Sequence, residues 1–230
     1  MHASPHLQPM RSAHIPMPAN RLRPTGMKTD SLSQSMDLMG AAMAYRRNSE
    51  IFGEGEPADY LYKVISGSVR TYKITRDGRR QVGGFYMPGD IFGLEFAHEH
   101  TLSAEAIGDT QVLVVKRTAL NSLAGRNASI AQQLLALTGR ELHCVQDRIL
   151  LLIESAQERV TDFLLEMAER TSEGNTIELP MSRQDIADYL GLTIETVSRT
   201  LSALETSAAI EVPTSRRIVL RNRAALKTCR

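Results

Sequence analysis

Residues 127–156, "NASIAQQLLALTGRELHCVQDRILLLIESA", run for thirty positions without a proline and carry two apolar stripes instead of one. Ile130, Leu137, Cys144 and Leu151 recur every seven residues, interleaved with Leu134, Glu141 and Arg148, and a second stripe follows Leu135, Leu142 and Ile149. One stripe is enough to seat a helix on its own domain. A second seam at heptad spacing asks for a second partner, and a copy of the same helix supplies it most simply. The expectation is a dimerisation helix over 127–153. Its seam is read as Ile130, Leu134, Leu137, Glu141, Cys144, Arg148 and Leu151, with Glu141 and Arg148 setting the register of a homodimer.

The chain has 230 residues, of which 42% are hydrophobic, enough for one large core or two modest ones. A net charge of +1 excludes a uniformly basic coat but leaves room for a local basic patch. Two cysteines, Cys144 and Cys229, are too few for a disulfide framework, and there is no C-x-x-C pair to hold zinc. No stretch approaches the roughly 20 apolar residues that cross a bilayer. The beginning of the chain lacks the apolar centre of a secretory signal, so a soluble cytoplasmic protein is expected.

Before the long helix the pattern changes twice. Residues 1–28 hold five of the nine prolines and are read as a flexible arm. Residues 29–46 carry a helical stripe through Leu32, Met36, Met39 and Met43. From Glu50 the chain becomes a series of short β-branched and aromatic runs, with turn signals at Asp77-Gly78, Pro88-Gly89 and Gly108-Asp109. Closely spaced strands of this kind build a small antiparallel barrel or jelly roll, ending near Lys116. A short helix over 117–123 follows, and the whole domain is placed at 29–126.

After it, residues 154–230 read as mostly helical. "QERVTDFLLEMAERTSEG" is amphipathic through Val160, Phe163, Leu164 and Met167. In "SRQDIADYLG", Ser182 and Asp185 have capping-box spacing and Gly191 closes the helix. Thr193 caps a further helix through Glu205 whose buried positions are Val197, Leu201 and Leu204. "AIEVPTSRRIVLRN" then reads as two strands around a turn. Two short helices across a glycine turn, backed by a hairpin, form a winged helix-turn-helix.

The buried set leaves Ile194, Glu195, Ser198 and Arg199 outward at the start of the second helix, the end that enters a major groove. From Arg199 onward there are seven Lys or Arg against two Glu. Arg199 has the fork geometry to donate to O6 and N7 of guanine, Glu195 accepts from N4 of cytosine, and Ile194 suits thymine methyls. Ser182, Arg183, Thr193, Thr196, Arg216 and Arg217 are expected at phosphates, which position a protein without reading sequence, and Ser198 suits that role too.

Together "IFGEGEPADYLYKVISGSVRTYKI", "MPGDIFG" and "RQDIADYLGLTIETVSRTLSALE" resemble the CRP/FNR family of bacterial transcription regulators, over about residues 30–225. The resemblance implies an α+β chain: an N-terminal β-roll of the jelly-roll, cyclic-nucleotide-binding type, a long dimerisation helix and a C-terminal winged helix-turn-helix. It also implies RNA polymerase as a partner. The "E-T-V-S-R" pattern is similar to that of members reading TTGA half-sites in inverted repeat. Members reading the cyclic-AMP-type site carry arginine where this chain has Ile194.

Cyclic-nucleotide binders in the family hold the phosphate with an Arg-Ser or Arg-Thr pair, where this chain has Leu102 and Ser103. An apolar side chain cannot neutralise a buried phosphate. Oxygen-sensing members hold an iron–sulfur cluster on several N-terminal cysteines, and residues 1–46 contain none. The resemblance therefore narrows to the FixK-type subgroup, usually active without a cofactor and set in amount by an upstream oxygen-responsive two-component system. That subgroup activates genes of low-oxygen respiration and, in rhizobia, nitrogen-fixation functions. Some FixK-like regulators carry an oxidisable cysteine beside the DNA-facing helices, where this chain has Ser182.

Two other readings stand beside this one. A haem-dependent nitric-oxide sensor of the same family would draw its axial ligand from His14, His98, His100 or His143. A cupin-type metal enzyme would use His98, His100 and Glu105, if both histidines shared one face of a strand.

Overall fold

The computed structural model describes residues 31–226 except positions 96, 152, 172–173 and 224–225, with the side chains at 147, 148, 150, 151 and 171 also outside the description. The proline-rich arm, His14, Cys229, and the seam side chains of Arg148 and Leu151 thus lie outside the described residues.

Helix α1 (Ser31–Met39) buries Leu32 and Met36. The stripe stops there. Ala41–Tyr45 forms strand β1, whose ladder runs from Ala41 opposite Val114 to Tyr45 opposite Thr110. Met39 and Met43 keep helical spacing yet are exposed, so the expected helix over 29–46 is half strand. Pairing with a neighbouring strand outweighs a local apolar period of this length.

Seven more strands follow: β2 (Glu50–Phe52), β3 (Tyr60–Ser66), β4 (Val69–Ile74), β5 (Arg80–Tyr86), β6 (Ile91–Phe92), β7 (Ser103–Ala106) and β8 (Thr110–Lys116). The three turn signals fall between β4 and β5, β5 and β6, and β7 and β8. The strands form two four-stranded sheets, ordered β1-β8-β3-β6 and β2-β7-β4-β5. Between them pack Phe52, Tyr62, Val64, Val69, Phe92, Ala104 and Val112. Strand alternation decides what faces outward: Val69 points between the sheets, while Arg70 points away from them, toward the C-terminal domain.

Helix α2 (Arg117–Ala124) leads into α3 (Ala128–Leu151), 24 residues and about 36 Å long at 1.5 Å per residue. The two stripes of α3 have different partners. Ile130 is 1% exposed among Leu32, Leu61, Leu113, Val115 and Leu120, and Leu134 and Leu137 pack against the same cluster. These three residues, expected in the dimer seam, pack on the chain's own β-roll, Ile130 fully and Leu134 and Leu137 in part. Glu141 is half-buried and Cys144 exposed. The apolar stripe left open is the other one, through Leu135, Leu142, Val145, Ile149 and Ile153.

Helix α4 (Ala156–Thr171), strand β9 (Thr176–Glu178), α5 (Arg183–Leu190), α6 (Ile194–Thr206), β10 (Ile210–Thr214) and β11 (Arg217–Leu220) complete the chain. Their core is continuous with the outer face of the β-roll. Val82, Phe85, Met87 and Ile107 from the roll share one buried cluster with Phe163, Leu164, Ile186, Val197, Leu201 and Ile218. Phe85 lies 6.3 Å from Phe163 and 5.1 Å from Tyr189, ring centre to ring centre. Among the described residues no helix is long and apolar enough to cross a membrane.

Because Ile130 is enclosed by its own chain, Ile130→Ala is expected to cost about 2–5 kcal/mol of stability in urea denaturation. A loss below about 0.5 kcal/mol, the usual size for a surface change, would place that residue on a surface instead.

Candidate nucleic-acid interface

Two caps and one turn shape the helix pair. At α5 the Ser182 hydroxyl accepts from the Asp185 N–H, and the Asp185 carboxylate accepts from the Ser182 N–H, completing the expected capping box. The helix ends at Gly191, which sits in the left-handed region at φ 65° and donates its N–H to the Ala187 carbonyl. A side chain is disfavoured there, and glycine supplies the turn at least strain. Thr193 then caps α6, accepting from the Thr196 N–H at 3.2 Å.

Helix α6 buries Val197, Leu201 and Leu204 and leaves Ile194, Glu195 and Arg199 exposed. The remaining expected contacts divide by how far their polar groups are already engaged. Ser198 is half-buried and accepts from Arg183 Nη1 at 3.4 Å. Thr193 and Thr196 share a hydroxyl contact of 3.0 Å. The Ser182 hydroxyl is engaged in the capping box, giving and accepting a bond with Asp185.

The wing has three strands, ordered β10-β11-β9. The third, Thr176–Glu178, escapes a sequence reading because three residues carry too little pattern. The Thr214 hydroxyl accepts from the N–H groups of Arg216 and Arg217 and so tightens the tip. Both arginine side chains are exposed there. Arg217 lies 3.7 Å from Glu178, an exposed pair that a phosphate can readily displace.

Sequence reasoning missed what lies beneath α5. Asp185 is 3% exposed, and its two oxygens serve two domains. Oδ2 accepts from the Ser182 N–H at 2.9 Å and its hydroxyl at 2.7 Å. Oδ1 accepts from Arg70 at 3.0 Å and Arg80 at 2.6 Å, both residues of the β-roll. Arg80 also donates to Asp188 Oδ2 at 2.7 Å, and Arg70 reaches Glu105 at 3.0 Å. Burial alone would raise the Asp185 carboxyl, but the Ser182 hydrogen bonds and the two guanidinium charges outweigh it and hold its pKa below the ordinary value. The only sequence trace is an arginine at the alternating position 70 of a strand.

In the β-roll, Leu102 stands where the resemblance places a phosphate-binding arginine. Leu102 closes on Gly83, where an added Cβ would come within 2.6 Å of its Cδ1 and 3.0 Å of Thr71 Oγ1. The Ser103 hydroxyl accepts from the Glu54 N–H at 2.9 Å. The histidines do not converge: His98 is exposed, whereas His100 is buried and stacked on Phe52 at 3.6 Å. Residues 98 and 100 do not lie in a regular strand, so the alternation expected of them fails, and Glu105 is turned to Arg70. Among the described residues no group of three or more His, Cys, Asp or Glu is placed to hold a metal ion.

Residues 42–127 match the profile of the cyclic nucleotide-binding domain, and residues 158–229 that of the Crp-like helix-turn-helix domain. The chain is 44% identical to the nitrogen fixation regulation protein FixK of Azorhizobium caulinodans, over 96% of this chain and 95% of that one. It is 38% identical to the protein of the same name from Rhizobium meliloti, over 80% and 84%. The chain belongs to the FixK-type branch of the CRP/FNR family. The structure of FixK2 from Bradyrhizobium japonicum superposes with a TM-score of 0.81 at 50% identity, covering 83% of this chain and 97% of that one. The chain is thus a transcription regulator with a helix-turn-helix domain, not an enzyme.

In this FixK-type chain the Asp185 pKa is depressed on folding, so its stabilisation is complete above the unfolded value near 3.9 and is lost as pH falls through the folded one. Asp185→Asn removes the charge that Arg70 and Arg80 share, leaving them Glu105 and Asp188 as carboxylate partners, and is expected to cost about 1.5–3 kcal/mol at pH 7. The gap to the unsubstituted chain should narrow below about pH 4, measured by denaturation from pH 3 to 7. A gap independent of pH would show that the ionised carboxylate is not the stabilising form.

Proposed function

We propose that the chain acts in the cytoplasm as a homodimer on an inverted TTGA-type repeat. It activates transcription with RNA polymerase and needs neither cyclic nucleotide nor iron–sulfur cluster. The observation that carries this reading is the exposure of Ile194, Glu195 and Arg199 at the start of a helix whose opposite face is fixed in the core. Arg199 is assigned to the guanine of TTGA, Glu195 to the step beside it, and Arg183, Arg216 and Arg217 to phosphates.

Dimerisation is assigned to the open stripe of α3. Leu135, Leu142 and Ile149 recur at seven and Val145 lies between the last two, giving the three–four alternation of a two-stranded coiled coil. Cofactor independence is supported by the Leu102–Gly83 contact and by the lack of cysteines in residues 1–46. The names of the relatives point to genes of nitrogen fixation as the setting.

Purified protein, with no ligand added, is expected to bind an inverted TTGA repeat. A requirement for cyclic AMP, haem or anaerobic cluster assembly would overturn the ligand-free reading. Arg199→Ala should cost about 1–3 kcal/mol and relax preference at the guanine. Equal weakening on every single-base variant would remove α6 as the reader. Leu142→Glu should weaken self-association and DNA binding together, and sedimentation of the unsubstituted protein as a stable monomer would sink the dimer.

A further inference from the structure

The contact between β-roll and helix-turn-helix has the make-up of a clamp. Apolar packing of Phe85, Phe163 and Tyr189 holds the two together, but such packing is non-directional and tolerates rolling. Charged ties lie on both elements it joins. On α4, Arg170 donates to the Phe85 carbonyl and to Asp90 Oδ2, each at 2.7 Å. On α5, Arg70 and Arg80 converge on Asp185 Oδ1, and Arg80 continues to Asp188. Guanidinium groups are planar forks that bond in fixed directions, so ties at two places resist rotation where an apolar patch does not.

We propose that Arg70 and Arg80 are positioning residues for DNA recognition. From the β-roll they hold α5, and with it the reading helix, in one orientation, and so set the separation of the two reading helices in the dimer. The part about separation rests on the homodimer reading given above. The clamp presents the reading surface and does not hide it, because Ile194, Glu195, Arg199, Arg216 and Arg217 are all exposed while it is closed. The clamp also shares an atom group with the α5 cap. The carboxylate that receives the roll's arginines fixes the first turn of the helix that carries Arg183. Side chains of the chain itself fix this orientation.

Arg80→Met removes the ties to both Asp185 and Asp188, Asp188→Asn weakens only the second, and both leave Arg70 on Asp185; denaturation midpoints of both variants check that the fold is kept. Full-length protein is titrated with inverted repeats whose half-sites stand at the preferred separation, or one or two base pairs closer or farther, a distance that dimer geometry fixes. The unsubstituted protein should prefer one separation sharply. The variants should bind that site about tenfold more weakly, within the usual range of coupling between sites, and lose much of the preference among separations. Arg80→Lys, which keeps charge without the fork, should restore only part of it. A uniform loss at every separation, or no loss, would reduce the arginines to a structural role and overturn the proposal.

A second readout needs no DNA. Spin labels at the exposed positions Gln111 and Ser202, in a chain with Cys144 and Cys229 replaced by serine, report the roll-to-α6 distance. It should be narrow in the parent and broad in Arg80→Met; identical distributions would overturn the clamp. If the parent binds no inverted repeat at any separation, the function reading fails, and the distance distribution alone decides the clamp.

Discussion

Asp185 ties local to tertiary structure through one side chain. Without the Ser182 hydrogen bonds the first turn of α5 would leave N–H groups unmet, and without the two arginines a buried carboxylate would stand uncompensated. Each set makes the other affordable. The sheet β2-β7-β4-β5 sends Val69 into the roll and Arg70 out of it, so a period of two in one strand delivers a charge to a helix 115 positions later.

The two faces of α3 show the same economy of placement. A helix of this length in a small protein must be held along part of its length, and Ile130, Leu134 and Leu137 hold it to the roll. What remains apolar and exposed is displaced around the helix. That leaves Leu135, Leu142, Val145 and Ile149 together on a surface that water covers poorly.

Much of this was legible in the sequence, for reasons that can be named. The capping box, Gly191, Thr193 and the buried triplet of α6 are local patterns, and local patterns survive into the structure. The β-roll turns were visible as glycine pairs. What failed was whatever depended on a distant neighbour. Met43 has helical spacing from Met36 and Met39, but β8 was available to pair with it. The two stripes of α3 look alike in sequence because both are apolar, and the packing of Ile130 beside Leu120 is what distinguishes them. The arginines under α5 were invisible, since no spacing rule links a strand residue to a carboxylate in another domain.

The Leu102–Gly83 contact bears on how such a chain can evolve. An arginine at 102 would set a partly desolvated charge beside Gly83 and Thr71, at a half-buried position now filled by hydrocarbon. Burying an unpaired charge costs several kcal/mol, a large share of the roughly 5–15 kcal/mol that keeps a domain folded. A change to arginine there is therefore costly unless a counter-charge comes with it, and such a chain can take on new signals more readily at its other surfaces.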